Sequence, residues 1–202
     1  MARSPSRGAL ALGLLLATAP AALAQKVAAP AEDTYPADIT PPAGTSYPCA
    51  LTALPRDLPG IPPAERAYVN HTYTRILRAT QAKLVLLKAL DEQAALPLAL
   101  ARYREVMDLQ AARLQGEAPP AGLEAFQADV LAALALQQGF FEKAVPLRQS
   151  GKGMDAVYAI AEGRQASARL IAAFGKMQAR YPAWAPETRD SIYHHLCALD
   201  LF

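Results

Sequence analysis

Apolar residues recur at three- and four-residue steps through most of the chain that follows Pro63. In the first such segment, the stripe consists of Val69, Tyr73, Ile76, Thr80, Leu84 and Leu87. This period is that of an α-helix with one buried face, whereas a half-buried strand would alternate at every second residue. Aromatic residues make up only 7% of the chain, and Ala and Leu supply much of its 52% hydrophobic fraction, which also favours closely packed helices. We therefore predict an all-α fold.

Proline and glycine residues divide this region into five predicted helices, because proline is tolerated in the first turn of a helix and glycine often ends one. In chain order, the predicted helices span about Pro63 to Glu92, Pro97 to Gly116, Leu123 to Pro146, Asp155 to Tyr181 and Pro186 to Leu199. Short connections between long helices favour antiparallel neighbours. Residues 63–202 are therefore predicted to form an up-down bundle of four long helices plus a shorter C-terminal helix.

The segment that precedes the helices, residues 25–62, is rich in proline. Between Gln25 and Pro63 the prolines are Pro30, Pro36, Pro41, Pro42, Pro48, Pro55, Pro59, Pro62 and Pro63. Each one fixes its own backbone and removes an N–H donor, so the segment cannot form a regular helix or strand. We predict an extended proline-rich arm, part of which wraps the helical domain.

The first 24 residues have the pattern of an export signal. Arg3 and Arg7 form a positive start, an apolar stretch from Ala9 to Ala17 follows, and Ala22-Leu23-Ala24 is a small-residue cleavage site. We expect cleavage after Ala24 and a periplasmic or secreted bacterial protein. The apolar stretch is shorter than the ~20 residues that cross a bilayer, so no membrane span is predicted.

The charge of the exported part argues against nucleic acid as a partner. Removing Arg3 and Arg7 from the 20 basic residues leaves 18, which equals the 18 acidic residues. A neutral chain without a basic stripe releases few counterions on binding to phosphates, and this release is the main source of nonspecific affinity. The sequence therefore predicts no nucleic-acid partner.

Cys49 and Cys197 are the two cysteines of the chain. In an oxidising compartment we expect them to form a disulfide that ties the arm to the last helix. The alternative is a reduced, reactive Cys197 activated by His194 or His195, but nothing in the sequence resembles a C-x-x-C redox pair.

Three residues of the last predicted helix could bind a metal ion. Glu187, Asp190 and His194 share one helical face and combine carboxylate and imidazole ligands. The alternative is that Asp190 and His194 form a solvated pair while His195 packs against the arm. No cofactor is predicted. The chain lacks a C-x-x-C-H haem attachment site, so a haem would be held only by apolar packing and by axial ligands such as His71 paired with His194, His195, Met107 or Met177, which is not favoured.

Polar residues beside the apolar stripes could line a small-molecule pocket within the bundle. Asn70, Thr74 and Gln81 follow one strip of the first helix, and Arg164 interrupts the fourth. Such groups in a mostly apolar pocket would bind an acidic or amide-bearing ligand. The alternative is that these positions lie at the boundary of the core, half in water.

The sequence predicts an exported, soluble and non-enzymatic protein that binds a protein partner or a ligand in the bacterial envelope. The alternative is a small-molecule or metal-binding bundle, with an enzyme among the options, whose site lies at Glu187, Asp190 and His194 or inside the bundle. Tyr181, Trp184 and Phe202 could form an exposed aromatic patch, which would favour a protein partner. The alternative, which we favour, is that this Tyr-Pro-x-Trp turn caps the core. A cavity with convergent polar groups would favour a ligand.

Overall fold

A computed structural model describes residues 34–201 of the chain, and in this part all regular secondary structure is helical. Its six helices are α1 (Pro63–Glu92), α2 (Leu96–Gly116), α3 (Glu124–Gln149), α4 (Met154–Tyr158), α5 (Ala161–Arg180) and α6 (Pro186–Leu199). The predicted all-α fold is confirmed. The predicted signal peptide, the start of the arm and Phe202 lie outside the described residues.

Prolines lie at the starts of three helices, and the sequence predicted two of these starts, at Pro63 and Pro186. They occupy the first turns of α1, α2 and α6, where the N–H that proline lacks would have no helical partner. At the other end of α1, Gln93 adopts a left-handed backbone and its N–H bonds to the carbonyl of Ala89. Local chemistry therefore sets these boundaries.

The predicted third and fourth helices differ from those in the structure. α3 continues past Pro146 to Gln149, because Pro146 is exposed and falls in the last turn, where one missing hydrogen bond costs little. The predicted fourth helix is divided into α4 and α5. The division occurs at Ile160, whose backbone is extended (φ −65°, ψ 122°) while its side chain is buried in the core.

The helices surround one hydrophobic core. α1 packs on α2 and α6, α3 packs on α2 and α5, and α5 also contacts α6. The largest apolar side chains at the centre are Tyr73, Tyr103, Phe126, Phe140 and Phe141. None of the helices between residues 34 and 201 combines the length and the apolar character that crossing a membrane requires.

The described part of the arm lies against α1 and α6. Its side chains Leu54, Leu58 and Ile61 are buried in the core. The Ser191 hydroxyl donates to the carbonyl of Thr52 (3.0 Å), and the Ala185 N–H donates to that of Pro59 (3.1 Å). These contacts make the arm a second layer over the helices.

The two cysteines lie at disulfide distance, as the sequence predicted, with their Cα atoms 6.2 Å apart. The bond joins the arm to α6 across 148 residues of sequence. Both cysteines are half-buried. The covalent link thus fixes the middle of the arm, while the buried leucines fix its end.

A buried lysine anchors the carboxyl end of α6. Lys83, on α1, is 1% exposed, and its ammonium group donates to the carbonyls of Ala198 (2.7 Å) and Asp200 (2.5 Å). Gln137, on α3, donates to the carbonyl of Leu199 (2.7 Å). Burial lowers the pKa of Lys83 to about 8, and the charge of Asp200 opposes this shift. Side chains of α1 and α3 thus donate hydrogen bonds to three carbonyls at the carboxyl end of α6, where a helix has no donors of its own for them.

Candidate functional site

A cleft of about 600 Å³ lies between the arm and α1. The arm contributes Thr34, Tyr35, Pro36, Ala37, Ala53, Leu54 and Arg56 to its walls. Helix α1 contributes Ala67, Asn70 and His71. The volume falls within the roughly 300 to 1,000 Å³ that is usual for small-molecule sites, and the combination of apolar walls with a few polar groups is also typical of them.

His71 is held in the cleft wall by a carboxylate. Its Nδ1 lies 2.8 Å from Oε1 of Glu117, which follows α2, and Arg75 pairs with the other carboxylate oxygen at 3.1 Å. Because an ionised carboxylate only accepts hydrogen bonds, Nδ1 of the neutral ring carries the proton. In that form of the ring Nε2 is the acceptor, and His71 lines the cleft.

A second histidine supports the opposite wall from within the core. His195, on α6, is 1% exposed, and its Nδ1 donates to the carbonyl of Ser191 (2.7 Å). Its Nε2 therefore accepts from the Tyr35 hydroxyl at 2.6 Å. The packing of His195 against the arm, one of two alternatives from the sequence, is confirmed.

Burial changes the pKa of both members of this pair. Desolvation lowers the pKa of His195 to about 4; the bond to the Ser191 carbonyl opposes this shift and the charge of His194 adds to it. Desolvation also raises the pKa of Tyr35, with a small opposing effect of the Leu54 backbone. The neutral hydrogen-bonded pair is thus the stable form near neutral pH.

We expect His195 to make the stability of the protein depend on pH. Its folded pKa of about 4 lies below the ordinary 6.5, so its contribution is fully present above pH 6.5 and is lost as the pH falls toward 4. The free energy of unfolding should lose about 3 kcal/mol over this window. Urea denaturation of the wild type and of His195→Gln at several pH values measures it. Equal pH slopes for the two proteins would contradict the prediction.

The structure places one of the four predicted ligand-binding residues in the cleft. Asn70 lines it, while the buried Thr74 donates to the Asn70 carbonyl (2.8 Å). Gln81 lies further along α1, 3.5 Å from both the Thr40 carbonyl and the Tyr47 hydroxyl oxygen of the arm. Arg164 is exposed on α5, at a different hollow. The four residues therefore do not form one site.

The predicted metal site also receives no geometric support. Asp190 is exposed and pairs with Arg189 at 2.8 Å, Glu187 is exposed, and the His194 ring lies against Tyr193. Across residues 34–201, no three His, Cys, Asp or Glu side chains converge closely enough to hold a metal ion. Sharing a helical face was not sufficient, because a metal site also needs ligands to converge from neighbouring elements.

Tyr181 and Trp184 cap the core, as the favoured of the two interpretations predicted, and do not form an exposed patch. Tyr181 and Trp184 are 3% and 9% exposed. The indole stacks on Phe174 with ring centroids 6.1 Å apart, and the Tyr181 hydroxyl donates to Glu65 (2.5 Å). These aromatic side chains close the end of the core and are not available to a partner.

No pattern in the sequence pointed to Tyr35 or Arg56, and His71 was a candidate only as a haem or metal ligand. The predicted disulfide implied that the arm lies over the helices. This expectation could have indicated a cleft between the arm and α1. The register of the arm on α1 depends on which leucines enter the core. A proline-rich segment without periodicity does not specify this register.

No protein-family model matches the chain, and neither do curated protein sequences or solved structures.

Proposed function

We propose that the chain is an exported, non-enzymatic protein that binds a small ligand in the cleft between the arm and α1. The signal-like first 24 residues support export to the periplasm or beyond the cell. The helices would form the predicted up-down bundle, which serves as a rigid support for the arm. The observation that carries the proposal is the cleft itself, about 600 Å³ with polar groups in both walls.

The surroundings of the cleft favour a ligand over a protein partner. Tyr181 and Trp184, which would have formed a docking patch, are buried. The cleft combines Asn70 and His71 from α1 with Arg56 from the arm. A cavity with convergent polar groups is the feature that distinguishes ligand binding from partner binding.

The polar groups indicate the chemistry of the ligand. Arg56 supplies a permanent positive charge, and guanidinium groups bind carboxylates and similar anions well. His71 offers an acceptor nitrogen for a ligand hydroxyl or amine. The apolar remainder of the walls suits a hydrocarbon or aromatic body. We therefore propose a small acidic ligand with an apolar body and a hydrogen-bond donor.

Native mass spectrometry of the protein purified from a bacterial periplasm tests the proposal. We expect extra mass in the native spectrum that disappears on denaturation. Ala67 is exposed and lines the cleft, so Ala67→Trp should fill the space and remove the extra mass. Ala101→Trp, at an exposed position on α2, is the matched control and should retain it. If both variants keep the extra mass equally, the cleft is not the ligand-binding site.

We also expect Arg56→Ala to weaken the binding of an anionic apolar probe, anilinonaphthalene sulfonate, about tenfold. This factor corresponds to about 1.4 kcal/mol, near the lower end for a hydrogen bond to a charged group. Fluorescence titration gives the affinity. Arg102→Ala removes an equally exposed charge from α2 and should leave the affinity unchanged. An equal effect of both substitutions would indicate that only the net charge matters.

A further inference from the structure

A second, smaller hollow lies between α5 and α6, away from the cleft. It has a volume of about 210 Å³, and Leu170, Phe174 and Leu196 form apolar parts of its wall. Ile171 and Tyr193 also line it and are 71% and 47% exposed, so the hollow adjoins exposed apolar surface. We call this hollow the α5/α6 groove.

Cys197 lines the α5/α6 groove. Both cysteines are half-buried, but Cys197 belongs to α6 and lines the groove, whereas Cys49 belongs to the arm on the other side of the bond. A disulfide that serves only to stabilise a fold does not require an apolar groove beside one of its sulfurs. The position of one disulfide cysteine beside an open apolar surface is an observation that the ligand cleft does not explain.

We propose that Cys197 is a thiol-exchange site, and that a dithiol protein docks in the α5/α6 groove to reduce the bond and release the arm. The apolar side chains of Ile171 and Tyr193 would contact apolar residues that surround the attacking cysteine of the partner. The exchange site does not depend on the proposed ligand, but its effect on binding rests on the proposed function.

The exchange proceeds in two balanced steps. A thiolate of the partner attacks Sγ of Cys197, the Cys49–Cys197 bond breaks, and Cys49 leaves as a thiolate that takes up a proton. The partner's second thiolate then attacks its own sulfur in the mixed disulfide, so Cys197 leaves as a thiolate and is protonated in turn. The protein gains two electrons and two protons, and the dithiol partner becomes a disulfide.

Reduction would change the ligand cleft because the arm forms one of its walls. Without the bond, residues 34–50 are held only by noncovalent contacts, such as the hydrogen bond between Tyr35 and His195. The last part of the arm, which directly precedes α1, stays anchored by the buried side chains of Leu54, Leu58 and Ile61. The covalent link limits how far the arm can move, so breaking it lowers the effective concentration of the arm at its docking surface. We infer that the reduced protein binds its ligand less tightly.

Trapping with a monothiol identifies the attacked sulfur. The oxidised, undenatured protein is treated with excess glutathione, quenched with N-ethylmaleimide and mapped by peptide mass spectrometry. We expect glutathione on Cys197 and maleimide on Cys49. Glutathione on Cys49 instead, or reaction only after denaturation, would overturn the proposal.

Blocking the groove separates docking from general accessibility. Ile171→Trp should slow the exchange with a dithiol protein, thioredoxin, at least fivefold. Leu98 is similarly exposed on α2, so Leu98→Trp is the matched control and should leave the rate unchanged. Equal rates for the two variants would exclude the α5/α6 groove as the docking surface.

Hydrogen exchange then tests whether reduction releases the arm. The amides of residues 34–57 should exchange at least tenfold faster after reduction, while those of α1 and α3 keep their protection. Unchanged exchange in the arm would refute the release. This measurement needs no ligand, so it tests the release of the arm independently of the proposed function. Native mass spectrometry of the oxidised protein tests the proposed function separately.

Discussion

Replacing both Cys49 and Cys197 by serine is expected to lower the free energy of unfolding by about 4 to 5 kcal/mol. The bond joins residues that are 148 apart, so it restricts nearly the whole unfolded chain, and removing it restores that conformational freedom. If contacts of the arm loosen in the folded variant, the folded state gains conformational entropy. The loss of unfolding free energy would then be about 4 kcal/mol. Guanidinium denaturation of the oxidised wild type and of the variant measures the difference.

The chemically reduced wild type is the control for this substitution, because it lacks the bond but keeps both sulfur atoms. Its unfolding midpoint should coincide with that of the serine variant. A loss below about 1 kcal/mol would contradict the restriction of the unfolded chain as the source of stability. Agreement between the variant and the reduced protein would show that the bond, and not the packing of the thiols, stabilises the fold.

Gly60→Ala should destabilise the protein by about 3 kcal/mol. Gly60 has a φ of +87°, which side-chain-bearing residues rarely adopt. A Cβ at this position would also clash with Cα of Trp184 and lie only 2.9 Å from the Ala185 nitrogen. Both atoms belong to the backbone and cannot rotate away, so the loop that holds the arm against the start of α6 would have to move. Thermal or urea denaturation of the variant gives the size of the loss.

Gly175→Ala provides the matched control within the same chain. Gly175 lies on the exposed side of α5, and a Cβ there would meet no atom within 4 Å. Because alanine has a higher helix propensity, this substitution should stabilise the protein by about 0.5 to 1 kcal/mol. Destabilisation of equal size by both substitutions would show that the close approach of Gly60 to Trp184 is not what matters.

The helices could be predicted from the sequence where residues close together in the chain determine their positions and ends. The stripe beginning at Val69 and the prolines at the starts of α1 and α6 act within a few residues, so their effect is visible in the sequence. The break at Ile160 was not visible. Ile160 combines an extended backbone with a side chain that joins a core of residues distant in sequence, and no local pattern marks this position.

The candidate site could be predicted only in part for the same reason. Asn70 was selected because it lies beside the apolar stripe of α1, and it lines the cleft. The neighbouring His71 becomes a site residue through Glu117, which is 46 positions away. A pattern along one helix cannot show which carboxylate a different helix will bring to that position.

The sequence by itself determined the helical class, the starts of α1 and α6 and the pairing of Cys49 with Cys197, because periodicity, proline geometry and the chemistry of two thiols need little tertiary information. The tertiary structure alone decided where the arm lies, which polar residues line the cleft and which cysteine lines the α5/α6 groove. These features arise between segments that are far apart in the chain. Their positions follow from how the buried surfaces fit together, and no local pattern encodes that fit.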